Sequence, residues 1–200
     1  MMQERQYRIN EIFYSLQGEG FWAGRPAVFV RFSGCNLACP FCDTDFSGYE
    51  LMDAGTILEH VERWGKCRFV VLTGGEPALQ ADNALIDLLH RHGYYVAMET
   101  NGTCQPPQAV DWLTVSPKTS FVRSRGVRPV VERAHEVKVV FDGQAEVSDE
   151  KIKAIHYYLQ PCDTGDEGRN REILYACIEY VKAHPKWMLS LQQHKILNIR

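Results

Sequence analysis

The chain has 200 residues, 45% hydrophobic and 24% charged, a balance that excludes a disordered tail, a collagen-like rod and a long coiled coil and leaves room for one domain, residues 1–200, with a substantial core. Its 22 Lys and Arg against 25 Asp and Glu leave a formal net charge of -3, which argues against nucleic acid or an anionic membrane as a direct partner and favours a small molecule. A closed eightfold βα barrel, typically about 250 residues, does not fit this length.

The start, Met1-Met2-Gln3-Glu4-Arg5, carries charge where a signal peptide needs an apolar run, and no stretch reaches the length of a membrane span, so a cytoplasmic protein is expected. Residues 8–16 and 27–32 read as strands joined by a turn-rich loop containing Gln17-Gly18-Glu19-Gly20 and Trp22-Ala23-Gly24, a hairpin-like N-terminal extension. A helix over 56–64 aligns Ile57, Val61 and Trp64, and one over 83–92 aligns Leu85, Leu88 and Leu89. Short, nearly continuous apolar runs at 69–72, 94–98, 112–115, 137–141 and 157–159 are strands covered on both faces. Alternation with helices predicts a parallel sheet. Pro106-Pro107 interrupts one later connection, and residues 118–133 show little helical periodicity, so some crossover helices are missing. Helices are expected again at 148–156 and 167–183. The predicted fold is α/β: an incomplete, TIM-like βα barrel of about six parallel strands behind the N-terminal extension.

Seven cysteines is an odd number, and three of them lie in Cys35-Asn36-Leu37-Ala38-Cys39-Pro40-Phe41-Cys42, just past the strand ending at Phe32. This C-x₃-C-x₂-C spacing suits a metal site in a reducing compartment better than a disulfide framework. Three thiolates on one loop can hold three irons of a 4Fe-4S cubane and leave the fourth open to chelate S-adenosylmethionine (SAM). A structural zinc site completed by a distant His or Cys uses the same residue types. Cys67, Cys104, Cys162 and Cys177 are scattered, as buried inert thiols are.

The cysteine loop, with Phe41 before its last cysteine, and the strand-end segment Thr73-Gly74-Gly75-Glu76-Pro77 together resemble the radical SAM superfamily over nearly the whole chain. Further segments are similar to one of its families, the 7-carboxy-7-deazaguanine synthases of queuosine and 7-deazapurine biosynthesis, a tRNA-modification pathway. They are residues 15–20, 31–37 and Cys42-Asp43-Thr44, then Glu99-Thr100-Asn101-Gly102, Ser116-Pro117-Lys118, Gln160-Pro161 and the tail from Leu191 to Arg200.

The resemblance implies a carbon-nitrogen lyase that converts 6-carboxy-5,6,7,8-tetrahydropterin to 7-carboxy-7-deazaguanine by hydrogen abstraction at C6, ring contraction and Mg²⁺-assisted loss of ammonia. For the substrate it implies Leu16, Gln17, Gly18, Glu19, Arg31, Thr73, His194 and the terminal carboxylate of Arg200, with Arg31 pairing the substrate carboxylate. For SAM it implies Phe41, Cys42, Asp43, Gly75, Glu76, Glu99, Ser116, Pro117, Lys118, Gln160, Pro161, Cys162 and Asp163; Cys162 stands where the family commonly has Met, and Gln193 where it often has Thr. Cys35, Cys39 and Cys42 would hold the cluster, and Thr44 a Mg²⁺ ion. An external, flavodoxin-like electron donor and a homodimer come with the resemblance. Arg123, Arg125, Arg128 and Arg133 read as an exposed loop face. A radical activase acting on a partner protein's glycine would share the cysteine loop but would not need Gln17, Glu19, Arg31 and the tail. A non-catalytic module that holds a metal on the same cysteines is the second alternative.

Overall fold

The structure is a computed structural model and describes residues 5–42, 48–122, 127–143 and 147–200. Strands β1 (Tyr7–Leu16) and β2 (Pro26–Phe32) form the N-terminal antiparallel hairpin. A short β3 (Glu50–Met52) joins the outer edge of β1. From β2 onward every pairing is parallel, through β4 (Phe69–Gly74), β5 (Tyr95–Thr100), β6 (Trp112–Val115), β7 (Glu136–Phe141), β8 (His156–Pro161) and β9 (Met188–Leu189). The order β3-β1-β2-β4-β5-β6-β7-β8-β9 leaves β3 and β9 as edges, so the partial barrel does not close. β6 and β7 are buried along their whole length, as nearly continuous apolar runs predict.

Helix α1 (Ala54–Glu62) precedes β4 and α2 (Asn83–Arg91) precedes β5. Each is started by an aspartate whose side chain accepts from a first-turn amide: Asp53 from Thr56, and Asp82 from Leu85. Asp82 also accepts from the Tyr7 hydroxyl at 2.9 Å, fixing the start of α2 to β1. The buried faces are Ile57, Leu58 and Val61 on α1 and Leu85, Ile86 and Leu89 on α2, each side chain contributing about 1.5–3 kcal/mol of burial. Trp64, expected on the α1 face, lies just past the helix and stacks on Tyr14, and Leu88 is half-buried against the core. Among the described residues no helix joins β5 to β6 or β6 to β7. Helix α3 (Glu167–Ala183) returns the chain to β9, and α4 (Gln193–Leu197) follows it. No helix of the described residues is long and apolar enough to cross a membrane.

The helix expected over 148–156 is absent. Ser148 and Asp149 side chains accept from the amides of Glu150 and Lys151, which take left-handed φ values of 51° and 62°; the chain then runs extended through a parallel bridge between Arg133 and Lys153. Local side-chain acceptors won over the helical ladder there. The sequence reading also missed β3, β9 and α4, which are too short to show a period.

The loop between β1 and β2 fills the bottom of the open barrel. Phe21 stacks on Trp112 and packs at a tilt on His156, Trp22 packs on Phe69 and Trp112, and Arg25 lies over the Trp22 ring. The Phe21 amide donates to Glu136 at 2.9 Å. Glu136 is 2% exposed, and its burial, opposed by the Lys138 ammonium, pushes its pKa up to about 7. An unfolded carboxyl titrates near about 4.3, so between the two values the folded chain retains a proton that the unfolded chain has lost, and this group lowers stability as pH rises to about 7. Glu136→Gln should remove that loss and stabilise the fold at pH 8 by about 2–3 kcal/mol, with no gain at pH 4. Denaturant unfolding at the two pH values checks this.

Candidate active site

The carboxyl ends of β4 to β8 open into one cavity of about 800 Å³. Parallel α/β sheets place ligands at this end because the strand-to-helix loops converge there. On one wall lie Cys35, Cys39 and Cys42, in the loop after β2. None of the seven cysteines forms a disulfide. Burial raises the pKa of the Cys35 and Cys39 thiols. Among the described residues no three His, Cys, Asp or Glu side chains already surround a common metal position. Three thiols on one loop, opening onto a cavity, nonetheless fit a 4Fe-4S cluster, whose formation would draw them to the thiolate.

Two features position this loop. Gly74 has φ 112°, and a Cβ there would meet the Phe32 carbonyl oxygen at 2.4 Å, so only glycine lets the end of β4 approach the root of the cysteine loop. The amides of Gly75 and Glu76 then donate to the carbonyls of Phe32 and Gly34 at 3.0 and 2.9 Å. Glu76, assigned to SAM from the sequence, does not line the cavity. It is fully buried, accepting from Thr100 Oγ1 at 2.5 Å, Asn101 N at 2.7 Å and Ala78 N at 3.0 Å. Its carboxylate therefore braces the end of β5, and Asn101 in turn bonds Asn36 at 3.1 Å and approaches Cys35 Sγ at 3.9 Å.

Most residues assigned to SAM from the sequence meet beside the cysteines. Phe41 packs edge-on against Phe121, with the Lys118 ammonium 5.5 Å from its ring centre, and Lys118 donates to Ser116 at 2.6 Å. Burial and the Lys138 charge lower the Lys118 pKa. Gly75, Gln160, Pro161, Cys162 and Asp163 also line the cavity. The Cys162 amide donates to Phe141, and its thiol is buried. The Asp163 pKa is lowered to about 2 by bonds from Lys195, Gly165 and Asn170. Pro117 lines instead a small separate recess with Val139 and Phe141. Asp43 and Thr44 lie outside the described residues, as do Arg123 and Arg125.

All eight residues assigned to the substrate line the cavity. Arg31 pairs with Glu11 at 2.9 Å, and the Arg200 guanidinium bonds the other oxygen of Glu11; both guanidiniums lie over Phe13. The tail is docked, with Ser15 Oγ donating to the Arg200 main-chain oxygen at 2.5 Å and the Gln193 amide to the Gly18 carbonyl at 2.9 Å. Gly18 admits this contact because a Cβ there would fall 2.2 Å from His194 Nδ1. Gln17 donates to Glu99 at 2.8 Å and Thr73 to the same carboxylate at 3.3 Å, so Glu99 sits among the substrate residues. Glu19 accepts from Gln192 at 2.9 Å and pairs with Lys138.

The sequence reading missed Lys138, Glu11 and Gln192. Lys138 had a signal, a lone charge inside the apolar run 137–141, whereas Glu11 sits in an alternating strand where an exposed carboxylate is ordinary.

A profile of the radical SAM superfamily matches residues 29–168. The chain is 48% identical to the 7-carboxy-7-deazaguanine synthase of Bacteroides thetaiotaomicron, over 96% of this chain and 98% of that one. It is 44% identical to the enzyme of the same name from Nitratidesulfovibrio vulgaris, over 96% and 99%. The crystal structure of QueE from Escherichia coli superposes with a TM-score of 0.74 at 31% identity, covering 94% of this chain and 95% of that one. With the cysteine loop at the carboxyl end of a partial barrel, these likenesses establish that the chain belongs to the radical SAM superfamily and, within it, to the 7-carboxy-7-deazaguanine synthase family of lyases.

Proposed function

We propose that the chain converts 6-carboxy-5,6,7,8-tetrahydropterin to 7-carboxy-7-deazaguanine, with hydrogen abstraction at C6, radical ring contraction and loss of ammonia. The observation that carries this is the meeting, in one cavity, of the cysteine loop with Arg31, Gln17, Glu19, Thr73 and the docked tail. Its volume falls in the range of small-molecule sites and accommodates a nucleoside cofactor beside a bicyclic substrate. When bound, a cluster on Cys35, Cys39 and Cys42 supplies the electron, and SAM the radical, that start the reaction.

The chain's own residues bind, orient and shield. Arg31 presents a planar fork to the substrate carboxylate, in exchange with or beside Glu11. Glu19 and Glu99 accept from the amino and ring N–H groups of the pterin, and Gln17 and Thr73 orient Glu99. Ser116, Lys118 and the backbone over 160–163 face the cofactor side. The tail from Gln192 to Arg200 covers the cavity, which supports a small substrate over a protein glycine. A Mg²⁺ ion held with Thr44 would polarise the substrate carboxylate. An external one-electron donor, a cytoplasmic setting and a homodimer belong to the same reading.

Anaerobically reconstituted protein given the substrate, SAM, Mg²⁺ and reductant should yield the deazaguanine; absence of that product refutes the assignment. Cys39→Ala should abolish iron-sulfur absorbance and turnover. Cys177→Ala, a buried thiol on α3 remote from the cavity lining, should retain both. Arg31→Lys loses the fork and should raise KM for the pterin by about tenfold or more, with a smaller effect on KM for SAM. Steady-state kinetics in each substrate distinguish the two.

A further inference from the structure

Lys138 lies in the middle of β7, 4% exposed, in a strand whose other residues from Val137 to Phe141 are apolar. A buried ammonium is costly without compensation, and here it has three carboxylates around it. It pairs with Glu19 from the β1–β2 loop and lies 3.8 Å from Glu99 of β5, with Glu136 two residues back on its own strand. The three do not stand alike. The side chains of Glu19 and Glu99 are 15% and 25% exposed and line the cavity, whereas Glu136 is held under the loop by the Phe21 amide. Lys138 also lines the cavity, but its side chain is the most deeply buried of the three, so the two carboxylates present more of their surface to a ligand than the ammonium does.

We propose that Lys138 is a positioning residue for substrate selection: its charge holds Glu19 and Glu99 side by side as a pair of carboxylate acceptors at the cavity floor, so the site selects a heterocycle edge with adjacent N–H donors. This rests on the pterin reading above and adds the residue that makes the edge legible. Two carboxylates this close in a partly buried site repel, and one would take a proton or turn away without the cation between them. The other groups facing the pair leave this task to Lys138. Lys118 is bonded to Ser116 and acts on both carboxylates only electrostatically, Gln17 and Thr73 donate to Glu99 alone, and Gln192 and His194 from the tail act on Glu19 alone. Burial alone would raise the Glu19 pKa; the neighbouring Lys138 ammonium holds it low.

A cation that shapes acceptors should affect discrimination between ligands, whereas a merely structural ion pair would affect melting alone. Binding of 6-carboxypterin and of 6-carboxylumazine, in which a carbonyl replaces the 2-amino donor, is measured by fluorescence on reconstituted enzyme with SAM. The native enzyme should prefer the pterin by about 100-fold or more, because a site built for a donor rejects a ligand lacking it. Lys138→Met should reduce that preference at least about tenfold and raise KM with little change in kcat, while Lys138→Arg should retain it. In a Glu19→Gln background, Lys138→Met should have less further effect, since one of the two acceptors it serves is already neutral and the repulsion between them is gone. A native enzyme that binds both ligands equally overturns the proposal. So does a Lys138→Met enzyme with native preference, or a Lys138→Arg enzyme without it. Failure of the native enzyme to form the deazaguanine would instead defeat the functional reading, whatever the binding ratios.

Discussion

A parallel sheet that stops before closing leaves part of its inner face and one edge at each side without a covering strand, and the organisation of this molecule follows from that constraint. The closed barrel solves the problem with more strands. Here the chain uses its own loop and its own end. The β1–β2 loop places Phe21 and Trp22 against Trp112 and His156 at the bottom, and the tail brings α4 across the top, tied by Gln193 to Gly18 and by Arg200 to Glu11. What remains between them is the cavity.

This economy makes structural and functional residues hard to separate. The loop that plugs the barrel also carries Gln17 and Glu19 to the cavity, and Lys138 ties it to the sheet through a carboxylate that lines that cavity. Glu76 lies wholly outside the cavity, yet it sets Thr100 and Asn101, and Asn101 reaches the cysteine loop. Removing such a group would alter geometry one shell away from the chemistry, where small displacements are felt strongly.

The strands of the barrel were legible because each is a continuous apolar run between turn residues, and the cysteine loop was legible because ligand spacing is local. The turn at 148–151 was not, since its helical composition competes with Ser148 and Asp149 side chains that offer the backbone nearer partners. Neither was the position of Glu76. Its segment has the right neighbours in sequence, but whether a carboxylate after a glycine turn points into a cavity or under a strand depends on where β5 ends.

The sequence by itself determined the class of sheet and the cysteine loop, because these depend on periodicity and spacing, and its resemblance to known enzymes pointed to the family. Only the tertiary structure decided which charged residues share a partner of opposite sign. Arg31 and Arg200 are 169 positions apart and meet on Glu11; Glu19 and Glu99 are 80 apart and meet on Lys138. Such pairings arise from strand order and the path of the tail, and the electrostatic character of a site is a sum over neighbours in space.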